Sequence, residues 1–181
     1  VDRDGNRLVG IFCPRSPDAL AYVADTVKAT VARTHPRFYW LDDDLRFGWY
    51  KHRAASCWCP RCLKLLNEKA GTNYTREEFV KRLDSSAAND PIRAVWSAFK
   101  MESLVRFAAA ARRGAKRANP KAIVSNDSAM NMSPSCLEEI KATLRYCAEE
   151  GVRFDAIGAH TYRYSPESPD LDDGFRSLTE T

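Results

Sequence analysis

Three cysteines stand within six positions, in the run Cys57-Trp58-Cys59-Pro60-Arg61-Cys62. Cys-x-Cys-x-x-Cys delivers three thiolates from one loop, and a closed tetrahedral zinc site needs a fourth ligand from elsewhere. Cys13, in Cys13-Pro14-Arg15-Ser16-Pro17 at the start of a helix, is the expected fourth, with His52 as its rival. Free thiols or a local disulfide are the other reading of the cluster. Six cysteines in 181 residues are too few and too unevenly placed for a disulfide scaffold. Cys136 and Cys147 are expected as small buried hydrophobes on a helix whose inward face is apolar. A zinc ion (Zn2+) held by Cys13, Cys57, Cys59 and Cys62 would be structural, because four thiolates leave no position open for water.

A second set of polar residues follows short apolar runs: Asp42, Asp43 and Asp44; Asn126 and Asp127; His160 and Tyr162. The carboxyl ends of parallel strands are where α/β proteins build sites, although such residues also simply cap helices or open turns. Three in succession favour a site. Asp43, Asp44, Arg46, Asn126, His160 and Tyr162 are its candidate members. Trp49, Tyr50 and Tyr162 have faces that can stack on a ligand or cover the core. A cation site at Asp42 to Asp44 is disfavoured, since successive strand residues point to opposite faces.

The elements that would position these groups alternate. Ser16 and Pro17 open a helix in which Leu20, Val23, Val27 and Val31 repeat at helical spacing, until His35-Pro36 ends it near Thr34. Phe38-Tyr39-Trp40-Leu41 reads as a buried strand, followed by a loop from Leu45 to Ser56. Short helices are expected over Pro60 to Ala70 and after the Thr75/Glu78 capping box. The longest helix starts at Asn89-Asp90-Pro91, turns Ile92, Val95, Trp96, Phe99 and Phe107 inward, and stops at Asn119-Pro120. Ala122 to Ser125 is a strand. Ser133 or Ser135 caps a helix with Leu137, Ile140, Leu144 and Cys147 inward, closed by Gly151, and Phe154 to Gly158 is a strand. That order predicts α/β architecture, residues 1–181 forming a single α/β region with its cysteine-rich loop near 57–62. Three strands fall short of a full eight-strand barrel, so the chain is expected to be part of something longer, as its start at Val1 also suggests.

Composition narrows the function classes. Ordinary charged and apolar fractions argue against wholesale disorder, and no apolar run approaches the ~20 residues that span a membrane. A net charge of +4 over this length is a solvated surface, which disfavours nucleic acid as a partner. Reduced thiols on zinc lean towards the cytoplasm.

The Cys13-Pro14-x-Ser16-Pro17 run, an aromatic strand ending in acids, and Cys57-x-Cys59-x-x-Cys62 together resemble family 42 of the glycoside hydrolases, β-galactosidases with a four-cysteine zinc site. The likeness continues through Trp96-x-x-Phe99, Ser125-Asn126 and His160-Thr161-Tyr162-Arg163, and so is spread over most of the chain. It implies a partial (β/α)8 TIM-barrel fold, the central piece of a retaining enzyme acting on a β-galactoside or related carbohydrate. Retention requires two carboxyls about 5 Å apart across the glycosidic bond. Where the family has a Glu after Asn as acid/base, this chain has Asp43-Asp44, so Asp44 takes that role one methylene short, about 1.5 Å further back. The family's nucleophile would fall on a later strand, and Glu167 does not match it. The fragment alone is therefore expected to be inactive, with the missing strands supplied by a longer chain or a second copy. The alternatives are a catalytically inactive carbohydrate-binding barrel and a zinc-dependent interaction module, the latter given some support by Lys51, His52, Arg53, Trp58, Arg61 and Lys64 around the cysteines but not needing the long helices and buried strands.

Overall fold

The computed structural model describes residues 1–41, 57–129, 145, 148 and 155–160. The first helix, α1 (Pro17–Thr34), begins as its sequence dictates: the Ser16 hydroxyl accepts from the Ala19 N–H and Pro17 needs no hydrogen-bond partner in the first turn. It ends at His35, whose left-handed backbone (φ 45°) turns the chain towards β1 (Phe38–Leu41). After the cysteine run come α2 (Pro60–Ala70), closed by left-handed Gly71, and α3 (Arg76–Asp84), opened by a complete Thr75/Glu78 capping box. Asp90 caps α4 (Pro91–Ala118) by accepting from the Ile92 N–H at 3.0 Å. Strands β2 (Ile123–Ala129) and β3 (Ala156–His160) follow.

At 28 residues α4 is about 42 Å long, and it serves two separate cores. Its first half closes over Trp58, Cys62, Leu66, Phe79 and Leu83 with Ile92 and Phe99. Its second half packs Ala111 and Ala115 against Val27 and Val31 of α1 and Val124 of β2. Small residues from Ala108 to Ala111 let the helices approach closely there. The approach is tightest at Gly114, where an added Cβ would lie 2.1 Å from the Ala24 carbonyl oxygen.

The strands form one parallel sheet in the order β1-β2-β3, with Phe38 opposite Ile123, Leu41 opposite Asn126, and Ser125 opposite Ala156. Asp155, just before β3, ties this sheet to α4. Its carboxylate accepts from the Val124 N–H at 2.9 Å and from Lys116 at 2.7 Å, with Arg112 at 4.0 Å.

Three expectations are corrected. The partial (β/α)8 barrel is not what the described residues form: they show an open three-stranded sheet, with the three expected helices between β1 and β2 in place of a single crossover helix. The physical reason lies in the packing: α2 and α3 bury their apolar faces in the cysteine-side core instead of laying them on the sheet. β1 is buried on one side only. Tyr39 and Leu41 face the α1/α4 core while Phe38 and Trp40 stay 46% and 49% exposed, as strand alternation requires. β2 also runs four residues past Ser125, so Asn126 and Asp127 lie within it rather than beyond its end. Apolar character stops at Ser125, but the ladder needs only backbone groups and continues to Ala129 opposite His160. Of the helix expected from Ser133 or Ser135 to Gly151, only residues 145 and 148 are described, and both are helical. None of the described helices is long and apolar enough to cross a membrane.

Candidate metal centre

Cys13 stands in the turn before α1, held by the Ser16 N–H bonding to its carbonyl at 3.0 Å. Cys57 and Cys59 lie in the loop that leads into α2, with Cys59 at its N-cap, and Cys62 sits in the first turn. Pro60 costs nothing there, because the first helical N–H has no partner inside the helix. The loop is pinned from the chain's beginning, where the Trp58 N–H donates to the Val1 carbonyl at 2.9 Å. The buried Asp2 carboxylate in turn accepts from the backbone N–H groups of Asp4 and Asn6 and from the Asn6 side chain, organising a tight turn through Gly5. Trp58 itself is buried edge-on against Phe79.

These contacts bring all four cysteine sulfurs within 4.8 Å of one another. Cys13 Sγ is 3.6 Å from Cys59 Sγ and 3.5 Å from Cys62 Sγ. A disulfide would need about 2.0 Å, so these pairs are not bonded. Four thiolates around one ion at about 2.3 Å stand about 3.8 Å apart along each tetrahedral edge. Both Cys13 separations lie near that edge, and every pair is within 4.8 Å, close enough for the four sulfurs to hold one ion.

The electrostatics agree with ligation. Backbone N–H groups of Arg15, Cys59 and Cys62 donate to the sulfurs of Cys13, Cys57 and Cys59, which favours thiolate over thiol. Hydrogen bonding, from Cys13 first, holds Cys59 far below the usual thiol range and lowers Cys57 to about 7. Cys13 and Cys62 are pushed up, by their hydrogen bonds to Cys57 and to Cys13 respectively. A cation entering the cage displaces the remaining thiol protons. Cys62 is 1% exposed and the other three are partly buried, so the site is closed towards the core.

The metal-ligating residues expected from the sequence are thus brought together, Cys13 included. Asp42, Asp43, Asp44, Arg46, Trp49, Tyr50, His52 and Tyr162 lie outside the described residues. Asn126 is placed in β2 opposite Ile157, and His160 is the last residue of β3, opposite Ala129. Sequence reasoning missed Arg15, which reaches from the Cys13 turn to α4. Its guanidinium donates to Ser103 Oγ at 2.8 Å and Glu102 Oε2 at 3.1 Å and lies 4.8 Å from the centre of the Phe99 ring. A basic residue two positions after a ligand carries no signal of its own. Comparison with protein-family models, with curated proteins and with solved structures found no match to this chain.

Proposed function

We propose that Cys13, Cys57, Cys59 and Cys62 hold one structural zinc ion in a protein that cleaves a β-galactoside or related glycoside. The observation that carries the metal half is the cage itself, four sulfurs within 4.8 Å with pair distances near a tetrahedral edge. Zinc supplies cross-linking there and no Lewis-acid chemistry, since four thiolates fill its coordination sphere. What it joins is the Cys13 turn to the loop entering α2. The glycosidase half rests on the likeness of the Cys-Pro-x-Ser and Cys-x-Cys-x-x-Cys runs to family 42 of the glycoside hydrolases, with Asp44 in the position of the acid/base.

Elemental analysis of the purified protein and its Cys59→Ser variant tests the first half. One zinc per chain, lost in the variant, is expected; no metal in either would overturn the centre. For the second half, the full-length protein that carries this chain is assayed on an aryl β-galactoside with and without Asp44→Asn. Loss of the general acid costs about 10²–10⁴-fold in turnover. Unchanged turnover would sink the role given to Asp44, and sugar binding without turnover would make the protein a carbohydrate-binding relative.

A further inference from the structure

The cage is assembled from two chain segments, the Cys13 turn before α1 and the Cys57–Cys62 run that enters α2. We infer that Glu102, acting through Arg15 and Lys69, is the positioning residue that holds these two segments in register for the metal. The inference rests on the metal reading given above and goes beyond it by naming what preorganises the site.

The argument starts at Arg15. It stands two positions after Cys13, inside the turn closed by the Ser16 N–H on the Cys13 carbonyl at 3.0 Å, so whatever anchors Arg15 also anchors that ligand-bearing turn. Its side chain is 9% exposed. A buried guanidinium is stable only where its donors are matched, and here they reach Ser103 Oγ at 2.8 Å and Glu102 Oε2 at 3.1 Å. Ser103 is itself fully buried and passes its own proton to the Phe99 carbonyl at 2.7 Å. Phe99 closes the core that contains Cys62 and Trp58, and its ring carries the guanidinium on its face. Cys13 is therefore referenced to α4 through a chain of directional contacts.

Glu102 extends the same reference to the other segment. Its second oxygen, Oε1, accepts from Lys69 Nζ at 2.5 Å. Lys69 lies in the last turn of α2, the helix whose first turn carries Cys62. One carboxylate on α4 thus receives a cation from each ligand-bearing segment, Arg15 on one oxygen and Lys69 on the other. Partners outside the ligand set that orient metal ligands are typically worth 10–100-fold in metal affinity.

The test is the rate at which the zinc-loaded full chain gives up its metal to a chromogenic chelator, with the absorption spectrum of the cobalt(II)-substituted protein as a second readout. Glu102→Gln keeps the shape and removes the charge that both cations share. It is expected to release zinc about 10–100-fold faster and to alter the cobalt ligand-field bands. Arg15→Lys keeps the buried charge, gives up the forked donors, and should fall between. Val27→Ala, in the other core, should lose stability without quickening release. Release from both Glu102→Gln and Arg15→Lys at the unmodified rate, or equal quickening in Val27→Ala, would overturn the inference. Should Glu102→Gln fail to fold, Arg15→Lys decides alone. Absence of zinc from the unmodified chain is a separate result, which overturns the metal reading and this inference with it.

Discussion

Cys62 and Cys57 hold equivalent places in the motif and very different places in the protein. Cys62 is 1% exposed among Leu66, Phe79 and Phe99, whereas Cys57 is only partly buried in the incoming loop. Serine at either position weakens the cage. At Cys62 it also puts a hydroxyl into an apolar core, where an unmet hydrogen bond costs about 1–3 kcal/mol. Denaturant unfolding of the two metal-free variants should therefore show Cys62→Ser less stable than Cys57→Ser by about that amount. Equal midpoints would mean that water or a backbone group satisfies the new hydroxyl. At this scale the sequence was informative where chemistry is local. The Cys57-x-Cys59-x-x-Cys62 spacing announced three ligands, and the Pro-flanked Cys13 the fourth. Arg15 and Glu102 were invisible because they lie 87 positions apart and only the fold brings them together.

Helix ends were legible for the same reason. Ser16, Thr75 and Asp90 cap the helices they were expected to cap, since the capping oxygen and the N–H it accepts from lie within three residues. Strand burial was not, because it depends on what lies across each face, and the apolar run Phe38 to Leu41 proved half exposed. Helix packing supplies the prediction at this scale. Ala is favoured over Gly inside a helix by about 1 kcal/mol, so propensity alone says that Gly114→Ala stabilises α4. The Ala24 carbonyl 2.1 Å from the new Cβ says the reverse, because backbone cannot move aside as a side-chain tip can. We expect a net loss of about 2 kcal/mol or more, read as a lowered Tm, with α1 displaced from α4. A rise in Tm would mean that the two helices are further apart than described.

The molecule as a whole is organised around α4, and the sheet joins it through Asp155. Burial pushes that carboxyl up, but the Lys116 hydrogen bond, the Val124 N–H and the charges of Lys116 and Arg112 outweigh it and hold it below the usual range. A depressed folded value contributes stability that is present above the ordinary carboxyl value, about 3.9, and is lost as pH falls through the lowered one. Asp155→Asn should cost about 1 kcal/mol at neutral pH, and the difference from the unmodified chain should vanish in acid. A gap independent of pH would show that the charge plays no part. Closure of a sheet into a barrel was the feature least legible in the sequence. The alternation of helix and strand specifies parallel pairing, whereas the side on which α2 and α3 settle is decided by the Trp58 and Phe79 core. One consequence of the cysteine geometry concerns the unfolded chain. Cys13 and Cys59 are 46 positions apart, so an ion shared between them ties off a loop that contains α1 and β1. By the entropy estimate used for covalent cross-links, forbidding the open forms of a loop that size is worth about 4 kcal/mol at 25 °C. Metal on the knuckle of Cys57, Cys59 and Cys62 alone would forfeit that gain, since those three ligands enclose almost no chain. The single distant sulfur is what turns a bound ion into a clasp, one that needs no oxidising compartment to close.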